Sequence, residues 1–149
     1  LDTEVIVLDH LSIVVSGMGD GDERRMIDNT MTKLRSLVEE TNIALILVSH
    51  LKRPEGRGHE EGATTSLAQL RGSAGIAQLS DMVIGLERNQ QDAEERIKTQ
   101  LRVLKNRFSG QTGIACSLDF DIETGLLTED IANEFNNETK TENNEDSIF

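Results

Sequence analysis

A chain of 149 residues is sized for one domain, and a net charge of −12 argues against a broadly cationic, nucleic-acid-coating surface, because phosphate affinity comes from Lys and Arg. A single cysteine, Cys116, excludes an internal disulfide and a thiolate metal cluster and suits a reducing compartment. No apolar run approaches the roughly 20 residues that cross a bilayer, and no signal peptide precedes the first apolar segment, so the expectation is a soluble intracellular protein with no membrane contact.

The acid excess is unevenly placed. From Glu129 to Phe149 seven acids stand against Lys140 alone, which leaves a charge of −6 on residues 1–128 and room for local basic clusters. The chain opens on Leu1 and enters an apolar run within a few residues, which predicts the back half of a longer protein.

Val5-Ile-Val-Leu-Asp9-His10 reads as a strand buried on both faces and ending on a carboxylate. Parallel strands of open α/β sheets bring ligands to their carboxyl ends, so Asp9 is either a magnesium-holding acid beside a nucleotide phosphate or a plain turn cap. Leu11–Val15 continues apolar, and Gly17–Gly21 makes a loop. Those glycines are no phosphate cradle, because G-x-x-x-x-G-K-[ST] occurs nowhere in the sequence. Asp20 with Glu23 is a loose capping box. Ile27, Met31, Leu34 and Val38 recur at helical spacing and predict an amphipathic helix over 22–41, ended by Asn42.

Ile43–Val48 is a second apolar run expected to be buried on both faces, ending on Ser49 and His50. Strand, helix, strand predicts a parallel crossover that delivers two polar pairs to one edge; a lone His at a strand end is more often an ordinary hydrogen-bonded residue, and the neighbouring Asp9 strand favours a site. Residues 51–69 hold the one proline, Pro54, three glycines and the cations Lys52, Arg53 and Arg57 against Glu55, Glu60 and Glu61. A segment that long without periodicity is either a functional loop or a solvated one.

Leu70–Asp81 is rich in small residues around Arg71, with a helix expected over 74–79. Strands follow at Met82–Arg88 and Thr99–Arg107, separated by a polar turn. The alternation of Ile114–Asp121 suggests an antiparallel edge strand, closed into a hairpin by Leu126-Leu127. Residues 129–149 lack the apolar content to order themselves, and the terminal Ile148-Phe149 is either chance or a short docking motif.

Taken together, V-I-V-L-D-H, L-V-S-H-L-K, H-E-E-G, L-R-G-S, Q-L-S-D, L-E-R-N-Q-Q and L-K-N-R-F-S-G-Q-T-G resemble the helicase half of the primase-helicases of T7-like phages. These belong with the DnaB-like hexameric helicases of superfamily 4, built on a RecA-type P-loop ATPase core. The resemblance covers about residues 3 to 128. It implies an α/β fold, a mostly parallel sheet flanked by helices with a C-terminal antiparallel hairpin: the back portion of a helicase domain over 1–128, then a disordered acidic tail over 129–149.

The resemblance also implies roles. Asp9 would position Mg2+ through water, His50 would sense the γ-phosphate, and Arg107 would be an arginine finger reaching the adjacent subunit's nucleotide, ATP or dTTP, with Lys105 beside it. Arg88 and Phe120 would bracket the base. Lys52, Arg53, Arg57, Arg71, Gly72 and Ser73 would hold single-stranded DNA in the channel of a homohexamer, and the acidic tail with Phe149 would dock the replicative DNA polymerase.

Such a machine would translocate 5′ to 3′ in the bacterial host cytoplasm. The other readings are a RecA-like recombinase or hexameric ATPase that does not unwind, and a non-catalytic polymerase-docking module. Phe120 stands where the family has a Tyr and Ala77 where it has a basic residue, and the loop carries fewer lysines. The P-loop, the upstream catalytic Glu, the linker helix and the primase and zinc regions would precede Leu1, so this chain alone is expected neither to hydrolyse nucleotide nor to form a stable ring.

Overall fold

A computed structural model of the chain describes residues 2–16, 22–70 and 74–129. The elements are, in order, β1 (Val5–Leu8), α1 (Leu11–Ser16), α2 (Glu23–Thr41), β2 (Ala44–Leu47), α3 (Ala74–Leu79), β3 (Met82–Glu87), β4 (Lys98–Asn106), β5 (Gly113–Phe120) and β6 (Leu127–Glu129). Short 3-10 turns occupy 67–69 and 95–97.

β1 and β2 pair in parallel, with Val5 opposite Ala44 and Leu8 opposite Leu47. The pairing continues past the strand ends, where Val48 N–H donates to Leu8 C=O and Leu11 N–H donates to Val48 C=O, both at 3.0 Å. α2 makes the crossover. Its N-cap is Asp22, whose carboxylate accepts from Arg24 N–H at 3.1 Å, and not the predicted Asp20–Glu23 box; Asp20 lies outside the described residues. At the other end Asn42 adopts a left-handed φ of 55° and donates its N–H to Val38 C=O, the stop expected of Asn there.

The core sits among α1, α2 and α3. Leu11 and Val15 on α1 meet Ile27 and Met31 on α2, Leu70, and Ile76 on α3, with Leu34, Leu47 and Val83 packed around them. The segment 11–15, which sequence periodicity left without an element, is helical because a spacing of four puts Leu11 and Val15 on one inward face.

Two expectations are corrected. β1 and β2 are not buried on both faces: Val7 is 64% and Ile46 56% exposed, while Ile6, Leu8, Leu45 and Leu47 are half-buried. The helices lie against one face of the pair, and among the described residues nothing covers the other, which the pleat fills with every second side chain. Nor is β5 an edge strand, since it lies between β4 and β6, with Phe120 opposite Leu127 and Lys98 opposite Asp119.

The antiparallel part is also larger than a hairpin. β3, β4, β5 and β6 form one four-stranded meander in that order. Residues 88–97 between β3 and β4 contain no α-helix, and a parallel return would need a crossover of about a dozen residues or more, so the chain reverses instead. β6 ends on Glu129, the last described residue; the acidic tail and Phe149, predicted to be disordered, lie outside the described residues.

Candidate functional site

The two parallel strands stop together. Asp9 and His10 follow β1 and Ser49 and His50 follow β2 at the same edge, where the His10 and His50 rings meet edge to face with centroids 4.2 Å apart. Asp9 and His50 are exposed and His10 is half-buried. His10 Nδ1 has no partner among the described residues.

No group of three or more His, Cys, Asp or Glu among the described residues could cage a metal. A lone, solvent-facing carboxylate at this edge nevertheless fits Mg2+, which keeps most of its waters and takes one or two carboxylates together with phosphate oxygens.

The segment 51–69 departs from this edge and is tied by backbone pairing at two places. At its base Leu51 bridges Leu70, and Lys52 N–H donates to Gln69 C=O at 2.6 Å. At its far end Glu61 bridges Asn89 and Gln90 N–H donates to Glu60 C=O at 2.8 Å. Lys52, Arg53 and Arg57 are all exposed; Arg53 pairs with Glu60 at 2.8 Å, and a backbone hydrogen bond together with this contact holds Glu60 below the usual carboxylate range. Arg57 lines a polar cavity of about 390 Å³ with Glu87, Arg88, Asn89, Lys98 and Gln100. Arg71, Gly72 and Ser73 lie outside the described residues.

Beneath this segment Glu87 is nearly enclosed, its side chain 8% exposed. Oε1 accepts from Thr65 N–H at 2.7 Å, Thr65 Oγ1 at 2.8 Å and Arg102 Nε at 2.8 Å, and Oε2 accepts from Arg102 Nη2 at 3.1 Å. Burial alone would push this carboxyl up, but the Arg102 guanidinium and the two Thr65 donors outweigh it and hold the group below its ordinary value. A depressed folded value means that the stability from this carboxylate is complete above its unfolded value of about 4.3 and drains away as the pH falls through the lower folded one. Glu87→Gln is therefore expected to flatten the acid limb of stability below about pH 5. Urea midpoints measured across that range for parent and variant check it; parallel curves would mean that Glu87 is not a source of the slope.

The remaining site residues lie around the α3–β3 junction and the far end of the meander. Lys105 donates from Nζ to the carbonyls of Ala77 (2.6 Å), Gln78 (3.2 Å) and Ser80 (2.8 Å), so it caps the carboxyl end of α3. Arg107 is half-exposed: Nη1 contacts Asp81 Oδ1 at 2.9 Å and Nη2 donates to Gln78 C=O at 2.8 Å. Asp81 also receives Arg35 of α2 at 2.7 Å, and hydrogen bonds to Glu39 and Asp81 raise the Arg35 pKa further.

Arg88 and Phe120 are brought together, the guanidinium carbon standing 5.1 Å from the ring centroid. A flat base between them needs about 3.5 Å on each side, so Arg88 would have to lift off the ring to admit one.

The structure thus brings Asp9 and His50 to one strand edge, Arg88 onto Phe120, and Lys105 and Arg107 to the carbonyl end of α3. It adds Asp81, Glu87 and Thr65, which sequence reasoning missed. No local pattern marks them, because their partners lie 26, 15 and 22 positions away in Arg107, Arg102 and Glu87.

In an α/β domain, parallel strands that end together form a ligand-binding edge, and here that edge carries an acid and two histidines. The sequence matches the family of the DnaB-like helicase C terminal domain over residues 1–128, and the chain belongs to that family. It is 50% identical over 128 residues, 85% of its length, to the DNA helicase/primase of Enterobacteria phage T3. It is 30% identical over 104 residues, 70% of its length, to the replicative DNA helicase DnaB of Treponema pallidum (strain Nichols). The chain spans 22% of the length of each of these relatives.

Two solved structures share the fold at 22% identity, each over 85% of this chain. One is a DnaB-like replicative helicase described with its interactions with primase (TM-score 0.69, 31% of that chain), and the other is an ATPase domain (TM-score 0.67, 44% of that chain). The fold is therefore α/β of the RecA type.

Proposed function

We propose that this chain is the part of a replicative ring helicase that senses nucleotide and holds DNA, coupling NTP hydrolysis to 5′ to 3′ movement on single-stranded DNA. One observation supports it: β1 and β2 end at the same edge, where Asp9 and His10 follow one strand, His50 follows the other, and the two histidine rings meet. Asp9 would hold hydrated Mg2+, His50 would contact the terminal phosphate of ATP or dTTP, and Arg88 with Phe120 would take the base. When bound, the metal neutralises charge on the phosphoryl oxygens.

Arg107, half-exposed at the end of β4, would reach the nucleotide of an adjacent copy, with Lys105 holding the carbonyl end of α3 beside it. Because the sequence contains no G-x-x-x-x-G-K-[ST], the phosphate cradle must come from residues other than these. The uncovered apolar faces of β1 and β2 support a larger sheet in the working protein. Assembly as a homohexamer, polymerase docking through the acidic tail and Phe149, and action in the bacterial host cytoplasm complete the proposal. Among the described residues no helix is long and apolar enough to cross a membrane.

Lys52, Arg53 and Arg57 would meet DNA phosphates without reading sequence. Replacing Lys52 and Arg53 by alanine in the ring that contains this chain is expected to lower single-strand affinity and reduce the log–log salt slope by about 1.4, roughly 0.7 for each lost contact. Fork unwinding should fall with it. A salt slope equal to the parent's would remove these two residues from the DNA path.

A further inference from the structure

Nineteen residues, 51–69, contain a single 3-10 turn and no α-helix or strand, yet the segment has a defined shape. At its base Leu51 packs against the buried Leu70, while its tie at Glu60–Glu61 is a backbone pairing near the surface, which competes with solvent and holds weakly. The tie at Thr65 is different in kind.

Thr65 is 4% exposed, and both its N–H and its hydroxyl donate to one oxygen of Glu87. Charge-assisted bonds of this sort, in a place from which water is excluded, are roughly twice as strong as neutral ones. The fit has been made on the sheet side as well. Gly85, two residues before Glu87 on the same face of β3, leaves the space that Thr65 fills, and a Cβ there would overlap the Thr65 hydroxyl. Arg102 from β4 grips the same carboxylate through two nitrogens, so Glu87 has a fixed direction before the segment arrives.

The next residue, Arg88, points to the opposite face of the sheet, as strand alternation requires, and covers Phe120. One end of β3 thus carries the hold on the segment on one side and the proposed base contact on the other.

We propose that Glu87 is a positioning residue: through Thr65 it holds the 51–69 segment in the shape that presents Lys52, Arg53 and Arg57 to a nucleic-acid backbone. The inference rests on the reading of that segment as the DNA-holding loop. Glu87 touches no DNA. It removes ordering that the segment would otherwise undergo on binding, and fixing backbone costs free energy.

Two variants separate positioning from general stability. Glu87→Gln keeps the shape of the side chain but turns an amide donor toward donors on Arg102 and Thr65. Thr65→Val removes the hydroxyl bond and leaves the Glu87–Arg102 pair intact, and Thr65→Ser restores it. Amide hydrogen exchange on the chain should show protection at Thr65 and its neighbours falling at least tenfold in Glu87→Gln. The fall should be smaller but clear in Thr65→Val and absent in Thr65→Ser, while β4 and β5 amides exchange as in the parent in both Thr65 variants.

In the ring that contains this chain, dT-oligonucleotide affinity should fall several-fold in both weakened variants with the salt slope unchanged, because the phosphate contacts still form once the segment is ordered. That pattern differs from the flattened slope expected when Lys52 and Arg53 themselves are removed. If exchange in the segment matches the parent in both weakened variants, Glu87 does not position it. If the segment loosens while affinity holds, its shape is irrelevant to DNA and the inference fails. An unflattened slope in the Lys52 and Arg53 variant instead strikes the loop reading itself.

Discussion

Replacing Arg107 by alanine should lower DNA-stimulated nucleotide hydrolysis by about 10³- to 10⁵-fold in the assembled ring, the range over which a guanidinium reaching a transferring phosphoryl group acts. Nucleotide affinity should change little, because charge on the phosphoryl oxygens is largest in the transition state. Stability should change little as well: the side chain is half-exposed, and its contacts to Asp81 and the Gln78 carbonyl lie at the surface. Phosphate release and fluorescent-nucleotide binding, measured on one preparation, check all of this. If binding and turnover fell together, Arg107 would be a structural residue of the α3–β4 junction and not a finger.

The second large effect is on folding. Leu11 is the one large side chain among the described residues that is fully buried, wedged between α2 and the end of the parallel pair. Leu11→Ala should cost about 3 kcal/mol, the range of transfer plus cavity terms for a buried leucine. Against a total of roughly 5–15 kcal/mol for a domain, that is a large share. Val7→Ala, on the uncovered face of β1 at 64% exposure, should cost far less in the isolated chain. Urea unfolding of both variants decides the matter. Equal losses would mean that the face carrying Val7 is covered, contrary to the structure, while a negligible loss at Leu11 would mean that α1 does not pack.

Much of the framework was legible because it is local. The apolar spacing of Ile27, Met31 and Leu34 marked α2, the small-residue run marked α3 within 74–79, and β2, β3, β4 and β5 were each found within a residue of their ends. Burial was less legible. A run such as Val5–Leu8 reads as enclosed on both sides, and nothing in its own residues reports whether a second layer exists to enclose it.

The edge holding Asp9 and His50 followed from two separate apolar runs each ending on polar residues, once a parallel pairing was assumed. What the sequence could not show is who holds whom. Lys105 reads as a free cation near a site, yet it is spent on three carbonyls of α3, and Glu87 reads as the polar end of a strand, yet it anchors a segment more than twenty positions earlier. Such partnerships are tertiary and leave no periodic trace.

Asp81 accepts two guanidiniums from different elements, Arg35 on one oxygen and Arg107 on the other. A carboxylate with two cations can lend one of them without being left alone. Should Arg107 swing outward, Arg35 stays in place, α2 remains fastened to the start of β3, and the vacated oxygen faces water. Such a movement would give up the contacts of Arg107 to Asp81 and to the Gln78 carbonyl, and none in the buried core.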